Sequence, residues 1–345
     1  MSKLEDEADL LKKRALPADP KSNVRPIALQ APRVLTVRDL LVSSCERLST
    51  KDTRVRYCTT GCYELDRITG GFRPGFTWLF GATTSWGKSS WLVAVADENL
   101  RRGKKVLIVS SEDTDEVYGD RLMVRRARVD AVRFRSGKLD DEELRRVHDV
   151  TARAESLPVY IDARRFPVED LAGHVGRAIK EHAIDLVAFD YVQEFRTKRR
   201  FQDERIKMRE VASVLRHAIK DAKISGIIFS QLTTDERTKV PTRLNIRDCR
   251  DMAHAAEVIV LGFEPDQDIT SNGLVIAEKG KKCLYVDKVK NGPRNRIVAL
   301  DWDPDTASFR AQKGPEDEWY DTVIGDQADE FFEDVPSYGH AGGNW

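Results

Sequence analysis

The chain has 345 residues, of which 57 are basic and 57 acidic, with 33% charged and 8% aromatic residues overall. That length suits one large α/β domain with appendages, and no apolar run approaches the roughly 18 residues that a membrane span needs, so no membrane partner is expected. Cys45, Cys58, Cys62, Cys249 and Cys283 form no Cys-x-x-Cys pair and the six histidines are scattered, so neither a disulfide framework nor a zinc site is indicated.

The zero net charge hides an asymmetry. Residues 315–345 hold nine acids and no Lys or Arg, so the preceding 314 residues carry +9. A basic body points to nucleic acid, and the acidic tail to a basic partner or to self-masking. The start, Met1-Ser2-Lys3-Leu4-Glu5-Asp6-Glu7, has no apolar core for a secretory signal, and a cytoplasmic protein is expected.

In chain order, residues 1–34 are charged, interrupted by Pro17, Pro20, Pro26 and Pro32, and read as a flexible leader. Over 35–50, Val37, Leu40, Leu41, Cys45 and Leu48 fall at helical spacing. A single body then occupies 51–313, and 314–345 reads as an acidic, disordered tail.

Within the body, Phe76-Thr77-Trp78-Leu79-Phe80-Gly81 reads as a buried strand. It runs into Ala82-Thr83-Thr84-Ser85-Trp86-Gly87-Lys88-Ser89-Ser90, a Walker A loop with Ala in place of the first Gly. Its backbone N–H groups suit phosphates, Lys88 the β and γ groups, and Ser89 Mg²⁺. The helix after it is expected from about Ser89 to Arg101. Strands are expected at Val106–Ser110, Val159–Asp162, Leu186–Asp190, Ile227–Ser230 and Val258–Leu261. Helices alternate with them at Asp115–Arg128, Asp140–Ala154, Val168–Glu181 and Gln202–Ala222. This alternation predicts an α/β fold with a mostly parallel central sheet covered by helices. Beyond Leu261 the texture turns to hairpin, with Leu274–Glu278, a turn at Gly280, Cys283–Val289 and Arg296–Trp302.

Three strand ends carry chemistry. Leu186-Val187-Ala188-Phe189-Asp190 has the form of a Walker B segment, with Asp190 as a second Mg²⁺ group beside Ser89. Val106–Ser110 leads to Glu112 at a sheet edge where ligands of open α/β sheets sit, and a carboxylate there can deprotonate water; Asp113 or Asp115 suits the following helix N-cap. Phe229-Ser230-Gln231 puts an amide at a third strand end, within range of a γ-phosphate.

The chain resembles the C-terminal motor domain of the DnaB-type hexameric replicative helicases, a RecA-like P-loop fold closed by a C-terminal β-hairpin. The resemblance runs from about Thr59 to Phe309. It rests on Thr60-Gly61 with Leu65-Asp66-Arg67, Gly87-Lys88-Ser89, Ser111-Glu112 with Arg121-Leu122, and Gly137-Lys138-Leu139. It continues through Asp190-Tyr191-Val192-Gln193, Ser230-Gln231-Leu232, Asp248 with Arg250-Asp251, and Lys288-Val289-Lys290-Asn291-Gly292-Pro293. It implies ATP and Mg²⁺, Glu112 as catalytic base, Asp190 as the Mg²⁺ carboxylate and Gln231 as γ-phosphate sensor. It also implies that Lys288 and Lys290 reach a neighbouring subunit's nucleotide in a homo-oligomer, a hexamer, in a bacterial or phage-infected cell. Residues 51–313 are then the motor domain and 35–50 its linker helix.

This sequence departs from the family at three places. Lys290 stands where Arg is usual, and Lys lacks the bidentate fork of an arginine finger. The segment after Arg250-Asp251 is a few residues short, and no helical collar is expected ahead of the core. For single-stranded DNA the candidates are Arg196, Lys198, Arg199 and Arg200 past one strand end, and Arg237, Lys239 and Arg243 past another. With few aromatics among them, they suit backbone tracking rather than base stacking. The leading expectation is an ATP-driven helicase; a RecA/RadA-like recombination or annealing ATPase and an ATP-binding replication adaptor are the alternatives.

Overall fold

Apolar runs bounded by polar turns become one eight-stranded sheet in the computed structural model, which describes residues 57–154, 157–233, 240–246, 250–271 and 273–312, and residues 37, 38, 41 and 42 upstream. The chain divides into two units, Met1–Ser49 and Thr50–Trp345. In the first, Val37, Leu41 and Val42 are helical with exposed side chains; Leu40, Cys45 and Leu48 lie outside the described residues.

The second unit opens with α1 (Tyr63–Thr69), β1 (Thr77–Ala82), α2 (Lys88–Leu100) and β2 (Val106–Ser110). It continues with α3 (Asp115–Ala127), α4 (Ala131–Arg135), α5 (Asp141–Ala152), β3 (Val159–Asp162), α6 (Val168–His182) and β4 (Leu186–Asp190). Then come α7 (Glu204–Ala222), β5 (Ser225–Gln231), α8 (Arg250–Ala255), β6 (Val258–Phe263), β7 (Ile269–Ser271) and β8 (Leu274–Ala277). The last strands are β9 (Cys283–Val289), β10 (Arg296–Ala299), β11 (Trp302–Asp303) and β12 (Ser308–Phe309).

The main sheet has the order β10-β9-β6-β1-β5-β4-β2-β3. Its six strands from β6 to β3 pair in parallel, whereas β9 is antiparallel to β6 and β10 to β9. Strands β1, β2, β4 and β6 are buried along their whole length, as continuous apolar runs in a doubly covered sheet must be. Because side chains alternate across a strand, Trp78, Phe80 and Ala82 join one core layer with Trp91, Leu92 and Val95 of α2. Leu79 goes to the other, with Leu171 and Val175 of α6 and Val211, Leu215 and Ile219 of α7. Phe80 stacks on Trp91 at 4.3 Å between ring centroids, which ties the strand before the loop to the helix after it. Truncating such a buried ring costs about 3–5 kcal/mol.

Register sets the functional edge. Ala82 pairs with Gln231, and Ser110 with Asp190, so the ends of β1, β5, β4 and β2 stand side by side. One expected pairing is corrected: Leu274–Ala277 does not pair with Cys283–Val289 across Gly280. β8 pairs with β7 in a separate two-stranded sheet, while β9 inserts beside β6. The difference follows burial, since Leu274, Val275 and Ile276 are exposed, whereas Cys283, Leu284 and Val286 fill the core. The run Arg296–Trp302 likewise splits into β10 and β11, the latter pairing with β12.

Candidate nucleotide site

The loop between β1 and α2 turns on Gly87, whose φ of 105° and ψ of 34° suit glycine. The helix starting at Lys88 has no side-chain N-cap and no acid in its first turn. Its leading N–H groups and positive dipole end therefore face the loop with no acid of their own first turn to neutralise them, a setting for an anion. Thr84 and Ser85 are exposed at the tip, and Thr83, Lys88, Ser89 and Ser90 are half-buried.

Trp86 has a different place. Its side chain is 2% exposed, its Nε1–H donates to the Phe263 carbonyl at 3.0 Å, and its ring stacks on Phe309 at 5.1 Å. Its backbone N–H donates to the Thr83 carbonyl. A Cβ on Gly262 would stand 2.8 Å from this ring, so glycine there lets the indole lie against the strand. Trp86 anchors the loop from beneath.

At the end of β4, Asp190 Oδ2 accepts from Ser89 Oγ at 2.9 Å and from the Tyr118 hydroxyl at 2.5 Å. Its Oδ1 is buried without a hydrogen-bond partner. Burial pushes the Asp190 carboxyl above its ordinary range, against the pull of Tyr118, Ser89 and Lys88. An orphaned carboxylate oxygen beside a serine hydroxyl fits a hard cation with oxygen ligands. Among the described residues no cluster of three or more His, Cys, Asp or Glu could hold a metal. The set therefore suits an ion that takes its remaining ligands from phosphate and water, as Mg²⁺ does.

Ser111 fixes the neighbouring acid. Its N–H donates to the Asp190 carbonyl at 2.8 Å and its Oγ to the Tyr191 carbonyl at 3.0 Å, which clamps the end of β2 to the end of β4. Glu112 follows, exposed and without an ion pair among the described residues, whereas Asp113 pairs with Arg121 at 2.5 Å. Partial desolvation, then the Asp190 charge, push the Glu112 carboxyl up, and Lys88 draws it back. Lys88 Nζ lies 5.4 Å from the centre of the Tyr191 ring. From β5, Gln231 Nε2 donates to Thr84 Oγ1 at 2.7 Å, and its N–H donates to Gln193 Oε1. The site thus gathers a loop at a helix start, a buried carboxylate with one unpaired oxygen, a second acid and an amide.

Lys288 and Lys290 are not brought to this edge. Lys288 pairs with Ile259, and the Lys290 N–H donates to the Glu257 carbonyl, level with Thr77 at the start of β1. Five strand residues, about 17 Å along the strand, separate that level from Ala82. Lys288 Nζ donates to the carbonyls of Ala253 and His254 at 3.3 and 2.8 Å, and desolvation followed by Arg243 lowers its pKa.

Among the DNA candidates, Arg196, Lys198, Arg199 and Arg200 are exposed, but they are not equivalent. Glu169 accepts the Lys198 N–H at 3.0 Å and Asp170 accepts from its Nζ at 2.5 Å. Arg243 is held by Asp287 on β9, with Nε to Oδ2 at 2.6 Å. Arg237, Lys239 and Asp248 lie outside the described residues, as do the side chains of Arg250 and Asp251. Sequence reasoning missed Tyr118 and the Glu169–Asp170 clamp; the resemblance marked nearby Arg121, and only the tertiary fold turns Tyr118 onto Asp190.

The chain is 23% identical over 267 residues to the replicative DNA helicase DnaB of Geobacillus stearothermophilus, covering 74% of this chain and 58% of that protein. It is 22% identical over 246 residues to a probable replicative DNA helicase of Trieres chinensis, covering 69% and 54%. The chain therefore spans little more than half the length of these relatives. Among solved structures, one described as an ATPase domain superposes with a TM-score of 0.71 at 18% identity, over 81% of this chain and 99% of that one. A DnaB-like replicative helicase, described with its interactions with primase, gives 0.69 at 16% identity, over 81% and 68%. These structural likenesses show a shared fold. The model of the DnaB-like helicase C-terminal domain matches residues 58–311, and the chain belongs to that family.

Proposed function

We propose that this chain is an ATP-driven DNA helicase motor, working as a homo-oligomeric ring, a hexamer, that moves on single-stranded DNA and unwinds duplex during replication in a bacterial or phage-infected cytoplasm. The observation that carries this is the edge formed by Lys88, Ser89, Glu112, Asp190 and Gln231, in a chain whose family is a helicase domain. The first-turn N–H groups of α2 and Lys88 bind the triphosphate. Ser89 and Asp190 hold Mg²⁺, which neutralises phosphate charge when bound. Glu112 takes the proton of the attacking water, and its raised pKa, set by desolvation and the Asp190 charge, brings it nearer to the working pH of a general base. Gln231, bonded to Thr84, passes the state of the γ-phosphate from the loop to β5.

Lys288 and Lys290 sit at the opposite end of the strands from their own loop, which supports a role on the nucleotide of a neighbouring protomer. Arg196, Arg199 and Arg200 contact the phosphate backbone of DNA. Primase as a partner is carried over from the structural neighbour described with it. The test is ATP turnover with and without single-stranded DNA. Stimulation by DNA, lost in Lys88→Ala, supports the motor; turnover indifferent to DNA at every length and salt concentration overturns it.

A further inference from the structure

The loop from β3 into α6 carries a stack of charged and aromatic side chains that the nucleotide site does not use. Arg164 Nε and Nη2 donate to the two oxygens of Asp162 at 2.8 and 2.7 Å, a bidentate pair that fixes the plane of the guanidinium. The same guanidinium stands over the Phe166 ring, 4.8 Å from its centre. Phe166 in turn stacks on His174 of α6 at 4.0 Å, with 23° between the ring planes, and packs against the core layer beneath. The Arg164 side chain nevertheless stays 70% exposed. An exposed ion pair and an exposed cation–π contact each add little to folding stability, and holding a long side chain in one rotamer works against both. Stability therefore does not explain the order of this stack. What the stack provides is a flat, charged surface, already arranged and open to solvent.

Its position selects a ligand. Asp162 pairs with Val109 of β2, so the stack rises at the sheet edge where β2 and β4 end. Pro167 bridges to Arg196, and the Val168 N–H donates to the Arg196 carbonyl at 2.8 Å, which ties the stack to the basic loop after β4. Across the two segments, Arg165, Arg196 and Arg200 are exposed with no acid paired to them among the described residues, whereas Asp162 and Asp170 are each taken up by a cation. A surplus of exposed arginine favours an anion, and an open guanidinium favours a planar ring. A single nucleic-acid strand offers both, because an unpaired base exposes the face that a duplex covers.

We propose that Arg164, held by Asp162 and Phe166, is a stacking platform for one unpaired base of single-stranded DNA whose neighbouring phosphates lie on Arg196, Arg199 and Arg200. This rests on the reading of the basic loop as a DNA contact, and adds to it the stacking surface that the loop's own residues do not supply. Every base has a π face, so such a platform grips the strand without reading its sequence.

The test compares the full chain with Arg164→Lys, in the presence of Mg²⁺ and a non-hydrolysable ATP analogue, on two strands of equal length and charge: a thymidine oligomer and an oligomer of abasic units. Lysine keeps the charge beside Asp162 but has no planar group to stack on. An unchanged thermal midpoint shows that the variant is folded. The account predicts that Arg164→Lys binds the thymidine oligomer about tenfold more weakly, with the same log-log salt slope because no phosphate contact is lost, and binds the abasic oligomer as wild type does. Equal affinity of both proteins for the thymidine oligomer overturns the platform alone. So does an equal loss on both oligomers, since Arg164 then only positions the basic loop. A wild-type chain that binds neither oligomer at any salt concentration overturns the DNA reading of the loop, and the platform with it.

Discussion

Ser89 Oγ and the Tyr118 hydroxyl share one oxygen of Asp190, at 2.9 and 2.5 Å, and leave its other oxygen buried without a hydrogen-bond partner. A charge-assisted hydrogen bond is worth about 1.5–3 kcal/mol, and this one holds down a carboxyl that burial pushes up. Tyr118→Phe should therefore raise the Mg²⁺ concentration for half-maximal ATP hydrolysis by about tenfold or more, with the maximal rate largely kept. An unchanged Mg²⁺ titration would show that Tyr118 only packs.

Glu112→Gln should keep nucleotide binding, measured with a fluorescent ATP analogue, while turnover drops by about 10²- to 10⁴-fold. Because the carboxyl is pushed up by desolvation and by Asp190, and because a base must be deprotonated, the acid limb of the wild-type rate should lie above the ordinary glutamate range. A Glu112→Gln enzyme that hydrolyses ATP at the wild-type rate places the base elsewhere.

The ion-pair group on the other end of α2 belongs to stability. Asp97 is buried, with Arg125 Nε at 2.8 Å and Arg126 Nε at 2.7 Å, and the Arg125 guanidinium also donates to the Phe309 carbonyl. Burial alone would raise its pKa, but Arg126, Arg125 and Arg101 outweigh that and hold it below the ordinary range. A depressed carboxyl contributes stability above its unfolded pKa and loses it as pH falls through the folded one. Asp97→Asn should cost about 3–5 kcal/mol by removing the buried negative charge that faces Arg125 and Arg126, read as a lower urea midpoint at neutral pH. The gap to wild type should narrow in acid.

The basic loop divides in its effect on DNA. Replacing Arg196, Arg199 and Arg200 by Ala should flatten the salt dependence of single-strand binding by about 0.7 in log-log slope for each lost phosphate contact. Lys198→Ala, whose ammonium is held by Asp170, should change the slope less than any of these. Equal slopes for all four single variants would contradict the clamp as a selector of DNA contacts.

Much of this site was legible because its elements announce themselves locally. The apolar run before Thr83 and Gly87-Lys88-Ser89 after it define a strand, a turn and a helix start, and the carboxylate ending Leu186–Asp190 falls at the end of β4 as read. Tyr118 was not legible, because its role depends on one face of α3 meeting a strand end 72 residues later. Nor was the far-edge position of Lys288, which follows from the antiparallel insertion of β9 beside β6 and not from the strand's own pattern. The pairing of β8 was misread because a turn at Gly280 promises a hairpin, while the burial that sends Cys283–Val289 into the main sheet is a property of the whole fold. Trp86 looked like part of the phosphate loop, and only the glycine at 262 makes room for it in the core.

The most direct measurement is unwinding of a tailed DNA fork by the full chain, followed by strand displacement in the presence of ATP and Mg²⁺. The account predicts that wild type displaces the strand and that Lys88→Ala and Glu112→Gln do not. Doping Lys288→Ala, Lys290→Ala protein into wild type should depress the rate more steeply than dilution alone. A fork that stays annealed while the same preparation hydrolyses ATP on single-stranded DNA, or activity that falls only in proportion to dilution, would contradict it.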